Sequence, residues 1–66
     1  MKIIINGKEQ EVAAGISPTG LVEHKRLNPG AVVIELNQHI VAQDNWSEVI
    51  LCAGDKLEIV AFVGGG

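Results

Sequence analysis

The sequence predicts an α+β domain, a mixed sheet of about four to five strands packed on one helix. Three observations lead there. Aliphatic and β-branched runs at residues 1–5, 31–36 and 56–63 read as strands. Asn6-Gly7 and Asn37-Gln38 fold two of those runs back on themselves as hairpins. A helix-start signal, Ser17-Pro18, falls between the two hairpins.

Taken in order, Met1–Ile5 is the first strand, and Asn-Gly follows because both residues tolerate positive φ. Lys8–Ala13 returns, mostly polar and so solvated on one face. Ser17 caps a helix that runs to about Arg26, with Leu21, Val22 and the Lys25 stem on its inner face. Gly20 weakens that helix, and Asn28-Pro29-Gly30 stops it. Ala31–Leu36 is a second strong strand, and His39–Ala42 pairs back onto it. Residues 44–51 are irregular, with one helical turn around Ser47–Ile50 and with Trp46 capping the edge of the core. Gly54-Asp55 turns the chain into the last strand, Lys56–Val63, and Gly64-Gly65-Gly66 is a flexible tail. Two hairpins either side of one helix place the first and last strands at the centre, parallel, with the helix across one face. That is the β-grasp, or ubiquitin-like, architecture. It divides the chain into a domain over 1–63 and a tail over 64–66.

With 66 residues, the chain is one domain near the lower limit for a self-supporting core. One cysteine, Cys52, excludes an internal disulfide, so stability rests on aliphatic packing. Each buried aliphatic side chain supplies about 1.5–3 kcal/mol, against roughly 1–2 kcal/mol of backbone entropy per residue. The net charge is −3, and of the five basic residues only Lys25 and Arg26 are adjacent. Nucleic-acid binding needs a basic stripe, which is missing. No apolar run approaches the roughly 20 residues of a membrane span, and no leader pattern opens the chain. The expected compartment is the cytoplasm.

Catalysis finds little support. Cys52 with His24 or His39 is the candidate nucleophile set, but Cys52 lies in the apolar run Ile50-Leu51-Cys52-Ala53 and reads as a small packed residue. His24, His39 and Cys52 lack metal-ligand spacing, so no metal site is expected. The glutamates are scattered as on a solvated surface. No glycine loop precedes a helix as phosphate binding requires.

The ending is different. Phe62-Val63 leads into three glycines, which together span at most about 10 Å. Without Cβ atoms they can thread a narrow channel and bring backbone close to a nucleotide. A carboxylate presented on Gly66 is a substrate. ATP converts it to an acyl-adenylate, a sulfur donor displaces AMP, and a thiocarboxylate remains as tethered sulfide. Along the last strand, Leu57, Ile59 and Ala61 fall on the core face, and Glu58, Val60 and Phe62 on the other. Val60 and Phe62 then form an apolar docking patch beside the tail, unless a twist or loop covers Phe62.

Ile3-Ile4-Ile5-Asn6-Gly7, Val33-Ile34-Glu35-Leu36-Asn37, Ile40-Val41, Trp46 and Gly54-Asp55-Lys56-Leu57-Glu58-Ile59-Val60 precede Phe62-Val63-Gly64-Gly65-Gly66. In this order and spacing they resemble the ThiS family, the sulfur carriers of thiamine biosynthesis, over essentially the whole chain. The resemblance implies a ubiquitin-like fold and adenylation of Gly66 by an ATP-using, ThiF-like activating enzyme. A sulfur-transfer system would form the thiocarboxylate, and a ThiG-like thiazole synthase would take its sulfur into the thiazole ring. The carrier itself would be no catalyst and would bind no cofactor. The helix departs from the family pattern, where Leu is common near Lys25, Gly near Arg26, and a better helix former at Gly20. Rival readings are the small subunit of molybdopterin synthase, a ubiquitin-like modifier, a carrier for another sulfur pathway, and a β-grasp binding module with an inert tail. The first often carries prolines where this chain has Ala61-Phe62-Val63.

Overall fold

The computed structural model describes residues 1–62. Five strands form one mixed sheet: β1 (Lys2–Ile5), β2 (Lys8–Glu11), β3 (Val32–Leu36), β4 (His39–Val41) and β5 (Lys56–Ala61). Their order is β2-β1-β5-β3-β4, with β5 parallel to β1 and antiparallel to β3. The helix α1 (Pro18–His24) lies between the hairpins in sequence. The last strand is thus the central one, as the β-grasp reading expects. β2 ends two residues and β4 one residue before the expected bounds; β5 ends at Ala61, one residue before Phe62, and Val63 of the expected strand lies outside the described residues.

Both hairpins turn on residues in the left-handed region: Asn6 at φ 50° and Gly7 at 81°, then Asn37 at 49° and Gln38 at 73°. Two such residues in succession make the turn whose twist matches the strands it joins. The two asparagines also grip β5 from opposite sides. Asn6 Oδ1 accepts from the Ile59 N–H (2.8 Å) and its Nδ2 donates to the Ile59 carbonyl (3.2 Å). Asn37 Oδ1 accepts from the Lys56 N–H (3.1 Å), and its Nδ2 donates to Asp55 Oδ1 (3.2 Å). Strand β1 stops at Ile5, so the Asn6 amide stands in for the backbone that would otherwise satisfy Ile59.

Ser17 caps α1, its Oγ accepting from the Gly20 N–H at 3.1 Å, with Pro18 at the first helical position. The helix ends at His24 rather than near Arg26, because the next residues form its terminus. The Leu27 N–H donates to the Val22 carbonyl and the Arg26 N–H to Glu23, with Arg26 left-handed at φ 57°. This is the Schellman arrangement, normally built on glycine. Gly20 also has a packing reason: a Cβ there would lie 3.0 Å from Ile16 Cγ1.

The core follows the two periods. Ile3 and Ile5 of β1, Val32 and Ile34 of β3 and Leu57 of β5 meet Leu21 and Val22 of α1. Trp46 is buried with them and its Nε1 donates to the Val41 carbonyl at 2.9 Å, as expected of a residue sealing the core edge. Its segment is a 3-10 helix at Gln43–Glu48, earlier than the turn expected at Ser47–Ile50. The backbone beyond is extended, starting at Val49 (φ −89°, ψ 129°).

That extension overturns the reading of Cys52 as packed. Alternation points Leu51 inward at 2% exposure and turns Ile50 outward at 68%. Cys52 is exposed beside it. Its N–H donates to Asp55 Oδ2 at 2.8 Å, closing the turn on which Gly54 sits at φ 86°.

Candidate functional site

The described chain ends where the sequence places the chemistry, at the exit of β5. Gly64, Gly65 and Gly66 lie outside the described residues, as does Val63. The geometry that bears on the site is how β5 is held up to Phe62. On one side the Asn6 amide fixes Ile59. On the other, β3 pairs with β5 as far as Ala61, and the Phe62 N–H donates to the Ala31 carbonyl at 2.7 Å. The strand is therefore anchored up to the last residue before Val63.

The two faces of β5 divide nearly as alternation requires. Val60 (48%) and Phe62 (59%) are exposed, so neither twist nor loop covers Phe62. Leu57 is buried and Ile59 half-buried on the opposite face. Ala61 departs from the expected core role and is exposed. Ala61 instead lines an open groove of about 370 Å³.

Register assembles the outer face across strands. Val60 lies opposite Val33, and Glu35 lies between Glu58 on β5 and Ile40 on β4. Ile40 is 71% exposed. The patch beside the tail is thus Val33, Val60, Phe62 and Ile40 around two carboxylates in direct cross-strand register. Sequence reasoning missed that apposition, because it depends on the β3–β5 register. It also missed the Asn6 clamp, since Asn-Gly signals a turn and says nothing of a side chain reaching a third strand.

The nucleophile set does not assemble. Cys52 Sγ has the Ile50 carbonyl as its hydrogen-bond partner, at 3.9 Å, and His39 Nδ1 pairs with the Asn37 carbonyl at 3.1 Å. Among the described residues no three His, Cys, Asp or Glu side chains group as metal ligands, and no helix is long and apolar enough to cross a membrane.

A five-stranded sheet with the last strand central, one covering helix and an exposed apolar strand end define a ubiquitin-like β-grasp protein. The family model described as "ThiS family" matches residues 3–66. A ThiS structure from Geobacter metallireducens superimposes with a TM-score of 0.85 at 28% identity, covering all of both chains. The sulfur carrier protein ThiS of Bacillus subtilis is 41% identical over 46 residues, 70% of each chain. A thiazole synthase from Paramagnetospirillum magneticum is 39% identical over all 66 residues, which are 20% of that protein. The chain therefore spans about a fifth of the length of that relative. The chain belongs to the ThiS family.

Proposed function

We propose that this chain is a sulfur carrier of thiamine biosynthesis and that the Gly66 carboxylate is its working group. A ThiF-like activating enzyme binds the ATP. One carboxylate oxygen attacks the α-phosphorus, pyrophosphate leaves, and an acyl-adenylate forms on Gly66. A sulfur-donating system then delivers sulfide sulfur to the acyl carbon, AMP departs, and the thiocarboxylate remains. A ThiG-like thiazole synthase receives that sulfur for the thiazole ring. The chain acts as a co-substrate of both enzymes, contributes no catalytic side chain and binds no cofactor of its own. Its working place is the cytoplasm.

The observation that carries this reading is the family match, which runs through the glycine tail to residue 66. The match also favours this pathway over molybdopterin synthesis or protein modification. Two further points support it. The strand before the tail is anchored on both edges, and a glycine tail on a fixed strand can enter a narrow site that side chains would block. A longer relative named for thiazole synthase includes a unit like this one, which supports that enzyme as partner. Val60 and Phe62 supply the apolar contact that seats the carrier on its activating enzyme, as exposed apolar patches commonly do.

The test is ATP–pyrophosphate exchange by the activating enzyme, followed by intact mass after adding a sulfur source. The full chain supports exchange and gains the mass of one oxygen replaced by sulfur. The chain lacking Gly66 does neither while keeping its fold. Normal exchange by the truncated chain would refute the assignment.

A further inference from the structure

The groove lined by Ala61 has a composition the proposed function leaves unused. Its apolar wall includes Leu27, Ile59 and Ala61, and its polar rim includes Lys8, Gln10 and Lys25. Lys25 reaches across from the end of α1, its Nζ donating to Gln10 Oε1 of β2 at 2.8 Å. The Lys8 side chain forms no hydrogen bond or ion pair among the described residues. No acidic side chain lines the groove. In a chain of net charge −3 with five basic residues, two of the five stand on this one concavity. The acidic residues of the sheet lie on its other face: Glu9 is in register with Ile4, and Glu58 with Glu35.

We infer that this groove is a second contact surface, and that it takes an acidic side chain, flanked by apolar neighbours, from the thiazole synthase. The inference rests on the partner proposed above and adds the chemistry of the contact. Charge complementarity selects an anion, and the apolar wall selects one carried on a protein segment over a freely hydrated ion. Position selects a partner that handles the C-terminus: Ile59 and Ala61 are the inward residues of the strand whose outward residues are Val60 and Phe62. A partner touching both faces fixes the roll of the strand as well as its position. Contacts made through a solvated lysine rim are individually weak. The longer relative that carries a unit like this one in a protein named thiazole synthase fits a weak contact, since joining on one chain raises effective concentration.

The test measures binding of the full chain to separately expressed thiazole synthase by titration calorimetry at low and high salt. The double variant Lys8→Glu, Lys25→Glu is expected to bind about tenfold or more weakly at low salt and to lose most of the salt dependence. Lys8→Gln, which removes a charge that holds nothing within the fold, is expected to weaken binding a few-fold with an unchanged melting temperature. Lys56→Glu, a single charge reversal away from the groove, leaves binding within about twofold. Thiocarboxylate formation by the variants stays at the wild-type level. Wild-type affinity in both groove variants would overturn the inference, as would equal weakening by Lys56→Glu, which would report net charge alone. So would inorganic phosphate shifting the Lys8 and Lys25 resonances while synthase binding ignores the variants, which would mark a small-anion site only. If the wild-type chain itself neither gains sulfur nor binds the synthase, the proposed function has failed and not the groove.

Discussion

At single residues, the local backbone decides more than residue type. Arg26 occupies a left-handed position at the end of α1, where a Cβ is costly. Nothing else at that position requires arginine: it is exposed, and its N–H would still reach the Glu23 carbonyl as glycine. Arg26→Gly is therefore expected to stabilise the domain by about 0.5–1 kcal/mol, the strain relief exceeding glycine's extra chain entropy. Urea unfolding checks this, and a loss of stability would show that the arginine side chain contributes something the geometry does not reveal. Cys52 makes the opposite point. Its apolar neighbours suggest packing, yet the extended backbone turns it to solvent. Cys52→Ala should change stability by no more than about 0.5 kcal/mol. The native thiol should react with an aromatic disulfide reagent as fast as an unfolded control, and a protected thiol would contradict the exposure.

At the level of elements, helix and sheet each carry a conflict that propensity alone misjudges. Gly20 in α1 looks like a defect whose replacement by alanine should add about 1 kcal/mol. The alanine Cβ would meet Ile16 Cγ1 at 3.0 Å, and Ile16 packs on the core while its carbonyl accepts from the Leu51 N–H. The expected outcome for Gly20→Ala is a net change within about 0.5 kcal/mol of zero, the gain in propensity offset by displacement of Ile16. A full gain in thermal denaturation would mean that Ile16 moves freely. In the sheet, Glu35 and Glu58 face each other across β3 and β5. Like charges in that relation oppose pairing, so Glu58→Gln should stabilise the free protein by a few tenths of a kcal/mol, about 0.2–1 at most. The gain should shrink in high salt, and a salt-independent change would point to another cause.

For the whole molecule, the arrangement of β5 separates stability from the proposed docking role. In its first half Leu57 is core, at 1% exposure, while its last residues face solvent on both sides. Phe62→Ala should therefore leave the melting temperature nearly unchanged, since a side chain 59% exposed contributes little to folding. It should weaken binding to the activating enzyme by a few-fold or more, as loss of an aromatic anchor does. Unfolding of Phe62→Ala would place Phe62 in the core after all. The architecture makes this separation possible because β5 is central. The strand is held by β1 and Asn6 on one edge and by β3 on the other, so its end can stay solvent-facing without fraying.

How much of this was legible in the chain depends on the range of the interaction. Asn6-Gly7, Asn37-Gln38, Ser17-Pro18 and the alternation along the last strand are local signals. Turn chemistry, capping and side-chain period act over a few residues, so the sequence by itself determined the hairpins, the helix start, the inward turn of Leu57 and the outward turn of Val60 and Phe62, while Ala61 escaped its expected core role. The family match followed from the same pieces in order, through to residue 66. The tertiary structure alone decided the rest. Asn6 reaches Ile59 across 53 positions of chain, Glu35 meets Glu58 through strand register, and Lys8 and Lys25 share a groove because the end of α1 lies against β2. Cys52 faces water because the 3-10 helix at Gln43–Glu48 ends before it. Each of these depends on where a distant segment lies, and no period or propensity within one segment carries that information.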